Sequence, residues 1–256
     1  MSHSAIARSA QVLLAFVPAL ACRSTDAPVV EPAAPLESPP VFIEAPAPVA
    51  PSAAEADDEF VKLLSSLGIS YSPAAQTLEV SGWVNMQTGL VEVFACAPQG
   101  KTHESVVVLD CIPSGLHAGL LALDLEPGTP VEFGTGGEYR APTGDPVLIE
   151  VRWRDAAGVE HTAAAEDWIW DLKLSAPMPR AAWIFAGSFM QTAIGREEES
   201  TYAADYIKSL ATTYHDSSSV LENPHTDGID DTVYYANEKA VPPVGTPIRA
   251  VFRRPR

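Results

Sequence analysis

Thr77-Leu78-Glu79-Val80-Ser81-Gly82-Trp83-Val84-Asn85-Met86 is the stretch on which the fold turns: apolar and polar residues alternate along it, the signature of a half-buried strand. The polar turn Gln87-Thr88-Gly89 leads into a second strand-like run, Leu90 to Cys96. A third, Glu104 to Asp110, follows the loop Pro98-Gln99-Gly100-Lys101, so a hairpin turning near Gly100 is expected. Val147 to Trp153 and Val159 to Ala163 flank Asp155-Ala156-Ala157-Gly158 and read as another hairpin. Short strand candidates lie at 181–188, 206–213, 231–236 and 247–253.

Two segments break this pattern. Residues 56–67 place Phe60, Leu63, Leu64 and Leu67 on one helical face, with acids in the first turn and Gly68 as the stop. Pro113-Ser114 opens a second helix in which Ser114 is the expected cap, Leu116, Leu120, Leu121 and Leu123 supply the apolar side, and Pro127-Gly128 ends the segment. Strands dominate and do not alternate regularly with helices. The expectation is an α+β domain, a mainly antiparallel sheet with two short helices, without internal repeats.

Ahead of this domain the chain has a different character. Arg8 is followed by the apolar run Val12 to Ala21, the charged and apolar regions of a secretory leader. That run is about ten residues long, whereas a bilayer span needs about 20. Cleavage after Ala19-Leu20-Ala21 would leave Cys22 as a lipid-carrying N-terminus, as in a bacterial lipobox, although a larger aliphatic residue is expected at position 19. Residues 23–52 are rich in Pro, Ala, Val and Glu, and repeated proline favours extended polyproline II over packing. The expected organisation is a leader at 1–21, a lipidated Cys22 with a disordered Pro/Ala-rich tether over 22–55, and one domain over 56–256. Its expected place is the cell envelope, membrane-anchored, facing the periplasm or exterior.

The chain carries 33 acidic and 16 basic residues, a formal net charge of −17. Such a surface repels phosphate, which argues against nucleic acid and leaves the membrane to be reached through the lipid on Cys22. Cys96 and Cys111 are the remaining thiols. In a hairpin turning at Gly100 they would lie roughly 23 Å apart, far beyond the ~7 Å limit for a bridge, so buried free thiols are the default; if the two strands are not neighbours, a Cys96–Cys111 disulfide is open again.

Gly82-Trp83-Val84-Asn85, Gly100-Lys101-Thr102-His103-Glu104-Ser105, His117-Ala118-Gly119-Leu120-Leu121, Val151-Arg152-Trp153, Glu166-Asp167-Trp168 and Phe185-Ala186-Gly187-Ser188 together resemble the YdjY-domain family of bacterial envelope proteins. The resemblance runs over roughly residues 60–253, with Pro242 to Pro247 leading into its last strand, and is most specific between Cys96 and His117. It implies an envelope location and supplies no activity. Cys111 and the stretch 214–231 fall outside its pattern.

The block Cys96, Lys101, His103, Glu104 and His117 offers a thiol, an amine, two imidazoles and a carboxylate, which are metal-ligand and acid–base types. On a regular strand His103 and Glu104 would point to opposite faces, so a shared site needs one of them in the turn. The competing reading is structural: a core cysteine, a tied-down loop and a packed helical histidine. Trp168 and Trp170 alternate and would make an aromatic face for peptidoglycan or another carbohydrate if they share a strand surface; core packing is the alternative. Asn223 and Asp227-Gly228-Ile229-Asp230-Asp231 offer hard oxygens without the spacing of an EF-hand, and Glu197-Glu198-Glu199 reads as a solvated loop. Ser188 lacks the second glycine of a nucleophile elbow, and Gly134-Thr135-Gly136-Gly137 is not a phosphate-binding loop. The balance points to a non-enzymatic binding or assembly module with an envelope-protein or peptidoglycan partner. A metal- or ligand-dependent enzyme on the Cys96-to-His117 block is the runner-up, its metal unassigned.

Overall fold

The computed structural model describes residues 53–136, 138–193 and 196–255. The leader, Cys22 and the tether up to Ser52 lie outside the described residues. The first element, α1, runs Ala53–Ser66 and so takes in the last residues assigned to the tether.

Eight strands carry the architecture: β1 (Thr77–Val84), β2 (Val93–Cys96), β3 (Ser105–Leu109), β4 (Pro146–Arg154), β5 (Trp183–Ile184), β6 (Ser209–Thr212), β7 (Leu221–Glu222) and β8 (Pro247–Arg253). They are joined in the order β1-β8-β4-β5-β7-β6-β2-β3, and β3 pairs back onto β1, Gly82 opposite Leu109 and Val84 opposite Val107. The sheet is therefore a closed barrel. With α1, α2 (Pro113–Ala122) and α3 (Ala203–Ile207) as its described α-helices, the domain is mostly β with short helices, one more than expected. Most neighbours are antiparallel, as expected, but β2 with β3 and β6 with β7 are parallel.

The parallel pair corrects the hairpin expected at Gly100. Residues 97–104 carry the chain back along the barrel, so that Val93 faces Ser105 and Cys96 faces Val108. Cys111 then lies three positions beyond the partner of Cys96, about 10 Å along the strand direction. Both cysteines are buried free thiols.

Closure depends on Gly82, whose missing side chain lets β1 approach β3: a Cβ there would run into the carbonyl oxygen of Val108. Inside, Leu78, Val80 and Val84 of β1, Val147, Ile149 and Val151 of β4, and Ile248, Ala250 and Phe252 of β8 belong to one buried cluster. A barrel of eight strands is just wide enough for its interior to be filled in this way. Phe94 and Trp183 meet inside with ring centroids 5.7 Å apart. The outward positions of the same strands hold ion pairs, among them Arg152 with Glu79 and Glu150, and Arg249 with Glu79 and Glu160.

Helix α2 follows β3 and packs against the barrel through glycines. A Cβ at Gly119 would sit 2.8 Å from Leu78 Cδ1, and one at Gly115 would sit 2.7 Å from Leu67 Cβ, so only glycine permits this approach. Leu116 and Leu120 are buried, whereas Leu121 is exposed, unlike its assignment to the packed side. The expected Ser114 cap is also replaced. Ser114 N–H instead donates to the Asp205 carboxylate of α3 at 2.8 Å.

Candidate functional site

The Cys96-to-His117 block separates into three environments. Lys101, His103 and Glu104 come together because Thr102–Glu104 forms a 3-10 turn rather than a strand. Lys101 Nζ lies 3.1 Å from Glu104, 3.5 Å from Glu92 and 3.9 Å from Asp216, and His103 Nε2 is 3.6 Å from Glu104. Burial and the neighbouring Glu104 push the Glu92 carboxyl up, with Lys101 opposing them. The lysine thus fills the place a bound cation would take among these carboxylates. Cys96 is instead buried with Val93 and Val108, its thiol pushed up by desolvation. His117 is on α2, after β3, and its contacts are with Tyr202, Phe185 and Gly187 rather than with the turn. Among the described residues no group of three His, Cys, Asp or Glu is arranged to hold a metal. A common site for the five residues therefore has no geometric basis.

His117 occupies a site of its own. Ser114, His117, Ala118 and Leu121 of α2 form one wall of an apolar cleft of about 490 Å³, and Gly187, Ser188, Phe189, Met190 and Tyr202 form the other. Gly187 sits at φ +84°, and a Cβ there would lie 2.7 Å from Pro127 Cβ, so the wall needs glycine at this bend. The Tyr202 hydroxyl donates to Gly187 O at 2.8 Å. Tyr202 Oη also lies 2.9 Å from His117 Nδ1, a hydrogen bond whose donor is set by the imidazole tautomer. Desolvation lowers the His117 pKa below 6.5, opposed by a hydrogen bond to the Gly187 backbone, and favours the neutral ring. Phe185 and Tyr202 fix the ring edge-on, at centroid distances of 4.9 and 5.6 Å. Ser188, at φ +55°, donates to Ser218 O and accepts from Ala204 N–H, so its hydroxyl is tied into the scaffold.

Reading the sequence missed a further constellation. Glu222 is fully buried in β7, and its carboxylate accepts from His215 Nδ1–H at 2.9 Å and from Val131 N–H at 3.2 Å. On the other side of the ring, His215 Nε2 lies 2.8 Å from the Tyr139 hydroxyl, so both ring nitrogens are hydrogen-bonded. The available signal was an acid closing the apolar run Val220-Leu221, seven residues after a histidine. Nothing in the linear pattern indicated Tyr139.

The sequence matches the YdjY domain model over residues 71–253, most of the chain. The chain belongs to the YdjY domain family. No curated protein and no solved structure matches it. The YdjY span takes in β1 to β8, the cleft and the His215–Glu222 pair, including the stretch 214–231 that had fallen outside the resemblance.

Elsewhere in the YdjY domain, the expected aromatic face is corrected. Trp168 ends a 3-10 turn, Ala165–Trp168, instead of sharing a strand with Trp170, and it is fully buried against Trp153. Strand alternation does not apply across that junction. Trp170 is half-buried, with Lys239 Nζ 6.0 Å from its ring. Asp227 and Asp230 are bridged by Lys173 at 2.8 and 3.3 Å. Glu197 to Glu199 lie in the strand Arg196–Tyr202 rather than in a loop.

Proposed function

We propose that this YdjY-domain protein is an exported, lipid-anchored component of the bacterial cell envelope whose barrel acts as a binding module, using the cleft beside His117. The leader and Cys22 support export and lipidation, and the proline-rich segment suits a tether. Among the described residues no helix is long and apolar enough to cross a membrane.

The observation that carries the binding reading is the apolar cleft of about 490 Å³ with the His117 imidazole, its charged form disfavoured by burial, in the wall. The matching ligand is compact and uncharged, with an apolar body and one group that hydrogen-bonds to an imidazole. A formal charge of −17 makes a polyanionic partner unfavourable.

A fluorescent naphthylamine with a single N–H tests this directly. Saturable binding is expected, weakened about tenfold by His117→Phe, the effect of one lost net hydrogen bond. Leu121→Asp, which places a charge in the apolar wall, abolishes it. Equal binding by the wild type and both variants would remove the cleft as the site.

A further inference from the structure

A second site lies away from the cleft. Glu222 and the His215 side chain are completely buried, yet the last member of the chain, Tyr139, is only half-buried. The pair thus directs one ring nitrogen, His215 Nε2, toward a position filled by the half-buried Tyr139. A buried ion-forming pair is a poor device for stability, because an apolar pair of equal volume avoids its desolvation penalty. Its distinctive property is orientation: Val131 N–H and the carboxylate fix the imidazole from behind, and Gly228 lies close enough that a Cβ there would come within 2.9 Å of Nε2.

The surroundings of the hydroxyl also indicate a chemistry. The Tyr139 ring lies between His215, at a centroid distance of 5.4 Å, and Phe133, at 5.9 Å. Phe133 is itself 56% exposed, so this aromatic pair reaches the surface. The position thus has an aromatic wall, an imidazole face and one ring nitrogen at hydroxyl distance. We propose that His215 and Glu222 form a recognition site for a phenolic hydroxyl compound, with Tyr139 as its built-in occupant, displaced when an external phenol enters. This goes beyond the His117 cleft and does not depend on it.

The test uses the full chain and para-cresol, the side chain of tyrosine as a free molecule, with toluene as its counterpart lacking the hydroxyl. Exposure of His215 is read by mapping its carbethoxylation, with the exposed His103 as internal reference. In the wild type the reaction at His215 is expected to be slow and insensitive to low urea, as for local opening; a rate that rises with urea like global unfolding would mean a sealed core and overturn the proposal. In Tyr139→Ala, His215 becomes reactive, para-cresol slows the reaction, and toluene does not. A folded Tyr139→Ala protein whose His215 stays unreactive, or one protected equally by both compounds, would also overturn it. Should that variant not unfold cooperatively, Tyr139→Phe decides the matter. It keeps the ring and removes the hydroxyl, and His215 reactivity should rise about tenfold, the shift expected from one lost net hydrogen bond; an unchanged rate counts against the site.

Discussion

Burial acts on His117 and Cys111 in opposite directions, because it disfavours the charged form of each: the cation of an imidazole and the anion of a thiol. For His117 the pKa falls below 6.5. As pH drops below 6.5 the unfolded chain takes up a proton that the folded chain still refuses, so stability declines; above 6.5 both states are neutral and the effect vanishes. The melting temperature of the wild type should therefore fall more steeply on acidification than that of His117→Phe, and parallel curves would show that another group is responsible. Ligand binding in the cleft should weaken over the same range, since protonation places a charge in its apolar wall. For Cys111 burial pushes the thiol up to about 12, with Asp110 and Asp205 adding to it. Below pH 9 the folded chain should resist alkylation at Cys111 and react there only as it unfolds. Above pH 9 the unfolded chain loses the thiol proton first, so stability falls on the alkaline side. Alkylation of the folded protein at neutral pH, located by mass spectrometry, would contradict this burial.

Among the elements, α2 depends most on a distant residue. Its flanking residue Ile112 offers no side-chain cap, and the Ser114 N–H is satisfied by Asp205 from α3. Asp205→Ala should cost about 1 kcal/mol in urea denaturation, the usual effect of removing a helix cap, and Asp205→Asn should retain most of it. An unchanged midpoint for Asp205→Ala would mean that solvent caps the helix equally well. The same contact shows where sequence reading succeeds and stops. Strands such as β1, β4 and β8 are legible because one face is wet and the side chains alternate, and the hairpin over Asp155 to Gly158 is legible because its turn is local. The strands β2 and β3 are buried throughout, so their period carries no direction, and a parallel pairing looked like a hairpin. Barrel closure through Gly82 is a relation between strands, invisible in either one. The site follows the same rule. Lys101, His103 and Glu104 were legible because they are contiguous, and His117 because of its chemistry. Tyr202 and the Tyr139–His215 contact were not, being brought together from 85 and 76 residues away.

On the scale of the molecule, the sequence sets a strongly acidic chain, with a formal charge of −17, against the anionic surface of a membrane. Electrostatics would hold such a chain away from lipid headgroups, so any stable association must come from a hydrophobic anchor. One acyl chain gives only marginal membrane binding, and stable anchoring takes more than one, which a multiply acylated N-terminal cysteine would supply. On this account Cys22→Ser should move the protein from the membrane fraction to the soluble fraction of the envelope. Its melting temperature should stay unchanged, since position 22 is far in sequence from every strand of the barrel. A Cys22→Ser protein that still sediments with membranes, and is released by salt rather than detergent, would instead mean that the folded domain binds the membrane through a polar partner, and the lipid anchor would have to be abandoned.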